Sequence, residues 1–381
     1  MIIAYLTKHR KINEVIEAIK SGMESYLSGK DYEIVIVNAS DRPLSIEKSH
    51  VVKNYNITSN IVNEFLFKIV RVAAINLPKS IVIINGDNRR LNEDIVGGIA
   101  APTLIHGFIL PLYFKVNPCY YPAYSLITYP LMLMLYGLNI TFTFPLDFSL
   151  GLDVVKLINE YDYANMVTCN FNLGSILMLI ALSNGIDIAL THMPSPDIEY
   201  EEYYKKDLNM YVKELLPLFN MLYEFEDSWL KIKVKLSYPT EVYVAKRTLE
   251  NRVKPRINAE EMISEAKNYL NRYASIHSVI LGEIASDILR QFSITKPEEL
   301  NISDELWAKI TINYMIATLR ERRVLRKIKL IEALANLTLL KAAQLVSELE
   351  KLENIRERML KLGEKFIEIR EEFINLYSEL M

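Results

Sequence analysis

The chain opens on an apolar run, Ile2–Leu6, which reads as a buried strand. Behind it Ile12, Val15, Ile16, Ile19, Met23 and Leu27 recur at helical spacing and predict a helix over Lys11–Leu27. Glu33–Val37 is a second strand that ends in the polar Asn38-Ala39-Ser40-Asp41. Ile61–Ile75 is an amphipathic helix stopped by Pro78-Lys79, and Ser80–Ile84 is a third strand ending in Asn85-Gly86-Asp87. Strand, helix, strand, helix, strand predicts a parallel α/β sheet. In such sheets ligands meet the carboxyl ends of the strands. The polar tails after the second and third strands are therefore the first places to look for a site.

The far end of the chain has a different period. From Asn258 onward the pattern is helical and rich in Glu, Lys, Arg and Leu. Leu352, Ile355, Met359, Leu362, Phe366, Ile369, Phe373, Leu376 and Leu380 alternate three and four residues apart. Such a narrow stripe packs on other helices. It is either part of an intrachain bundle or the seam of a homodimer or of a pair with a paralogue. These shifts predict an α/β domain over 1–235, a connector over 236–257 and a helical domain over 258–381.

Charge sharpens the contrast. Ile95–Pro196 carries seven Asp, Glu, Lys or Arg residues in 102 positions, and Val116–Leu146 carries none. Pro118, Pro122, Pro130 and Pro145 divide that stretch, so it reads as core or pocket wall and not as a transmembrane span. The net charge of −3 gives no general pull toward nucleic acid. The run Arg320–Lys329 holds six basic residues and one acidic, which most simply reads as a solvated helix face. Two cysteines make no disulfide framework. The first residues lack the basic and long apolar regions of a signal peptide, so a cytoplasmic protein is expected. Two glutamines beside abundant Ile, Glu, Lys and Tyr resemble a thermophile's composition.

Few residues suggest chemistry by themselves. A carboxylate just past a strand, as at Asp87, can hold a divalent cation, although Asp and Asn are also ordinary turn residues. His192 follows the strand-like Ile186–Leu190 and is a candidate ligand or acid, with a plain loop histidine as the alternative. The five histidines form no helical ligand pair, and no phosphate-cradling glycine motif or nucleophile elbow occurs.

The order of short motifs resembles a family. Asn85-Gly86-Asp87-Asn88-Arg89 is followed by Asn92-Glu93-Asp94-Ile95, Gly107-Phe108, Pro111-Leu112-Tyr113, Ile127–Pro130, Leu135-Tyr136-Gly137 and Asp147-Phe148, with Trp229 and Leu306-Trp307 farther on. This succession resembles the retaining GT-A-fold glycosyltransferases of the mannosylglycerate synthase and glucosyl-3-phosphoglycerate synthase type. The resemblance implies a GT-A-like, Rossmann-like, mostly parallel sheet with helices on both faces and a helical C-terminal region. It implies nucleotide-sugar contacts from Asn38, Asp41, Asn85, Asp87, Arg89 and Asp147. It also implies Mg²⁺ or Mn²⁺ held at Asp87; the family's metal-binding histidine would fall near Asp197–Glu199, where there is none, and His192, from its own place after a strand-like run, is the second candidate ligand.

The pattern departs from that family in its charged residues. The Asp-x-Asp metal motif is Asn85-Gly86-Asp87 here, and the base-reading aspartate is Asn38, with Asp41 nearby. Transfer to an anionic acceptor needs cationic groups, and the region expected to supply them is nearly uncharged. Three readings stand: a glycosyltransferase moving a sugar to a small-molecule or lipid-linked acceptor, a catalytically inactive homologue acting as a binding or partner subunit, or an unrelated α/β protein whose similarity is accidental. No catalytic residue is assigned.

Overall fold

The computed structural model describes residues 1–6, 12–39, 52–57, 62–86, 91–113, 118–140, 147–160, 173–193, 208–242, 257–349, 351–352 and 354–380. The protein is an α/β structure with a mixed, mostly parallel sheet and a set of C-terminal helices. It divides into two compact units that interleave along the chain. Unit 1 takes Met1–Lys115, Thr143–Ile198 and Pro239–Arg252; unit 2 takes Val116–Phe142, Glu199–Tyr238 and Val253–Met381. The division expected at 236–257 and these units partition the chain differently, because Val116–Phe142 and Glu199–Tyr238 cluster with the C-terminal helices.

Unit 1 begins with β1 (Ile2–Leu6), α1 (Ile12–Leu27), β2 (Ile34–Asn38), β3 (Val52–Asn56), α2 (Val62–Ile75) and β4 (Ser80–Asn85). It continues through α3 (Glu93–Ala100) and β5 (Phe108–Tyr113). Beyond α4 (Tyr129–Tyr136), which belongs to unit 2, come β6 (Phe148–Gly151), α5 (Leu152–Glu160), α6 (Leu173–Ser183), β7 (Ile188–Met193) and β8 (Thr240–Val242). The sheet order is β3-β2-β1-β4-β6-β5-β7-β8. β6 runs antiparallel to β4 and β5, and all the other pairs are parallel.

The apolar runs explain the strands. All residues of β2 are buried, and so are Ile81–Asn85 of β4, as expected of inner parallel strands covered on both faces. The chain leaves β1 toward β2 through α1 and returns from β3 to β4 through α2. Right-handed crossovers in opposite directions assign those helices to opposite faces. The packing agrees: α1 lies on α3, and α2 lies with α5 and α6. The approach of α3 to α1 requires Gly97, where a Cβ would sit 2.1 Å from the Tyr26 ring.

Unit 2 contains α4, α7 (Asn209–Glu224), α8 (Glu226–Leu230), α9 (Ala259–Leu281), α10 (Ala285–Gln291), α11 (Asp304–Arg320), α12 (Val324–Leu349), α13 (Ile355–Glu368) and α14 (Arg370–Ser378). α12 packs against α9, α11 and α7, while α13 packs on α4 and α11. Among the described residues α12 alone is long and apolar enough to cross a membrane, and 78% of its most apolar window is buried. The uncharged stretch expected to be covered by its own chain is covered: Pro118–Leu135 is buried throughout. A left-handed Gly137 ends α4, and a Cβ there would lie 2.4 Å from the Lys235 carbonyl oxygen.

Five of the nine stripe residues are buried inside this unit. Met359, Leu362, Phe366, Ile369 and Phe373 are buried, whereas Leu352 is exposed. The helix breaks at Ile369, which separates α13 from α14 (φ −98°, ψ 12°). One residue outside helical geometry is too short a break to turn the stripe off its face. Beside it the buried Arg370 donates to the carbonyls of Met134 (3.1 Å), Trp229 (2.7 Å) and Ile232 (3.1 Å). These carbonyls lie at the C-terminal ends of α4 and α8, where a cation complements the helix dipole.

Candidate functional site

The carboxyl edge of the unit 1 sheet gathers the described candidate residues. Asn38 is the last residue of β2 and Asn85 the last of β4. Asp147 precedes β6, and because β6 is antiparallel to β4 its beginning falls at the same edge, Phe148 opposite Ile83. His192 lies near the end of β7, opposite Leu112 of β5. The strand order reverses around β1, whose neighbours are β2 and β4. Such a switch point opens a crevice at the carboxyl ends of the strands. Asn38 stands opposite Leu6 on one side of β1, and Asn85 opposite Tyr5 on the other.

The strongest polar contact at this edge joins β4 to β6. The Asn85 backbone N–H donates to Asp147 Oδ1 at 2.6 Å, and both residues are buried. A charged acceptor makes this bond stronger than a neutral one. It fixes the point where the chain leaves β4. Across β1, Asn38 Nδ2 donates to Asn56 Oδ1 at 2.8 Å, which joins the ends of β2 and β3 through side-chain amides. The sequence pattern does not reveal Asn56, because β3 has the polar composition Val-Lys-Asn-Tyr-Asn.

His192 belongs to a separate cluster. Its Nε2 lies 2.8 Å from Glu241 Oε2, and the imidazole is buried. Glu241 sits in the three-residue strand β8, too short to show a period. β7 stands three strands from β4, and at ~4.8 Å per strand their ends are about 14 Å apart. Asp41, Asp87 and Arg89 lie outside the described residues. Among the described residues no group of three or more His, Cys, Asp or Glu side chains could hold a metal ion.

Unit 2 contains a titratable group that motif reading does not find. Glu214 of α7 is half-buried, and desolvation pushes its carboxyl up to about 7 against the hydrogen bond from Thr128 Oγ1 (3.4 Å). One turn earlier the Tyr211 hydroxyl is buried without a hydrogen-bond partner among the described residues. Burial pushes both this phenol and the Cys119 thiol upward, so both stay protonated. Cys119 Sγ points at the Ala342 carbonyl, 3.6 Å away, and is an inert core thiol. No protein-family model and no curated protein matches the chain.

Proposed function

We propose that unit 1 binds a nucleoside-diphosphate sugar at the carboxyl edge of its sheet, around the β1/β4 switch point. The protein is on this reading a GT-A-type glycosyltransferase acting on a non-protein acceptor. The observation that supports the reading is the switch point at β1 in the mostly parallel sheet β3-β2-β1-β4-β6-β5-β7-β8, with the polar strand ends Asn38 and Asn85 on either side of it. The polar edge fits the same assignment. Asn38, tied to Asn56, ends β2 on one side of the switch point, and Asp41 follows three residues later in the sequence. The bond between Asn85 and Asp147 ties the end of β4 to the start of β6, and Asp87 and Arg89 come two and four residues after Asn85 in the sequence.

A Mg²⁺ or Mn²⁺ ion at Asp87 and His192 draws no support from the described residues. Their one carboxylate at the β4 end, Asp147, already accepts the Asn85 N–H, and His192 pairs with Glu241. No step is therefore assigned to an ion. The second reading, an inactive homologue that binds the donor as a partner subunit, is favoured by the amides Asn38 and Asn85 where the family pattern has acids. Thermal unfolding with a panel of nucleotide sugars, with and without Mn²⁺, tests the shared premise. A ligand at a hundred times its Kd stabilises by about 2.7 kcal/mol. Binding without sugar transfer to any acceptor selects the second reading, and no stabilisation by any nucleotide sugar rejects both.

A further inference from the structure

The basic run at Arg320–Lys329 is solvated, as expected, and it borders a groove of about 730 Å³ in unit 2, between the ends of α9 and α11 and the start of α12. Arg320, Arg322, Arg323 and Arg326 line it, with Glu321 the one acidic residue among the lining side chains. All four arginines are exposed. Their pairings are loose: Arg320 lies 3.8 Å from Glu379 and Arg326 3.7 Å from Glu321. Lys327 by contrast is turned away to Asn220 Oδ1 at 3.2 Å.

Apart from Asn313 and Glu321, the rest of the lining is aliphatic. Ile316, Leu330 and Leu376 contribute to the groove wall. On its rim Val279 is 79% exposed, and the first turn of α12 presents Val324 and Leu325 at 63% and 76% exposure. Among the described residues no aromatic side chain lines the groove. Single-stranded nucleic acid sites combine cationic residues with aromatic platforms for the bases, which this surface lacks. Arginines that interleave with exposed aliphatic side chains match the two layers of an anionic bilayer, phosphate outside and acyl chain beneath.

We propose that this groove docks unit 2 on anionic phospholipid membrane surfaces. Arg322, Arg323 and Arg326 take the headgroup phosphates, and Val324 and Leu325 enter the acyl boundary. The inference is independent of the nucleotide-sugar reading, since every residue it uses lies in unit 2.

Vesicle flotation of the full-length protein tests it. The protein should float with phosphatidylcholine vesicles containing phosphatidylglycerol, stay behind with pure phosphatidylcholine, and be released by added salt. Arg322→Gln with Arg323→Gln should lower vesicle partitioning about thirtyfold, the equivalent of ~1 kcal/mol for each arginine. Val324→Ser with Leu325→Ser should also weaken it at constant charge. All four positions are exposed, so an unchanged melting temperature certifies the fold of the variants. Failure of the wild type to float with anionic vesicles at low salt overturns the proposal, as does unchanged partitioning of either double variant. Stabilisation by inorganic phosphate, or retention on single-stranded DNA, with no flotation would assign the groove to that ligand and equally overturn it.

Discussion

His277 is held as a neutral imidazole, and acid should therefore unfold the helical unit through it. Asn336 Nδ2 donates to the Ala266 carbonyl at 2.7 Å, which turns its Oδ1 toward His277 Nε2 at 3.2 Å. Nε2 thus carries the proton, and Nδ1 accepts from the Tyr314 hydroxyl at 2.6 Å. The ring is fully buried. Desolvation lowers its pKa from 6.5 to about 4, opposed in part by the bond to Asn336. The unfolded chain binds this proton more readily than the folded one. The contribution is then complete above pH 6.5 and is lost as the pH falls toward about 4. At ~1.36 kcal/mol per pH unit the loss amounts to about 3 kcal/mol.

The assay is urea unfolding at a series of pH values, followed by tryptophan emission. The chain's two tryptophans, Trp229 and Trp307, are both buried in unit 2, so the signal reports that unit alone. Other groups also titrate, so the test is the difference between the wild type and His277→Gln. The variant should start less stable and lose about 3 kcal/mol less over the acid range. Parallel curves would refute the argument, as would an NMR titration placing the folded-state pKa of His277 near 6.5.

Two further predictions concern the same unit. Arg370→Met strands the buried carbonyls of Met134 and Trp229 and frees the part-buried one of Ile232, and should cost at least about 2 kcal/mol in tryptophan-monitored unfolding; a loss below about 1 kcal/mol would mean that water replaces the guanidinium. Phe366→Asp with Phe373→Asp places two carboxylates in the core, the second beside Trp229, and should abolish cooperative unfolding of unit 2. A variant that keeps the wild-type melting temperature would contradict the burial of the stripe.

What the sequence conveys follows from period and burial. β1, α1, β2, α2 and β4 fall within a residue or so of expectation, because each is a long apolar run or a clean helical repeat. β3 escapes notice because it is an edge strand, where the exposed Lys53 needs no core and its charge discourages edge-to-edge pairing. The burial of α4 is legible from its composition, but a helix apolar all round does not say what covers it. Its packing with α13 joins residues more than 200 positions apart, and no local pattern carries that. At the candidate site Asn38, Asn85 and Asp147 are legible as strand-end residues. Their partners are not, since the link between Asn85 and Asp147 depends on the antiparallel turn of β6.

The central claim is that the carboxyl edge at β1 and β4 receives a nucleotide sugar. Calorimetric titration of nucleoside-diphosphate sugars into the wild type and into Asp147→Ala tests it most directly. Asp147→Ala removes the acceptor of the Asn85 N–H and should cost about 1–3 kcal/mol of stability. The account predicts saturable binding of at least one nucleotide sugar by the wild type. It also predicts clear weakening in Asp147→Ala under conditions where far-ultraviolet circular dichroism shows the variant folded. Absence of binding by the wild type to any nucleotide sugar, or equal binding by both proteins, would contradict it.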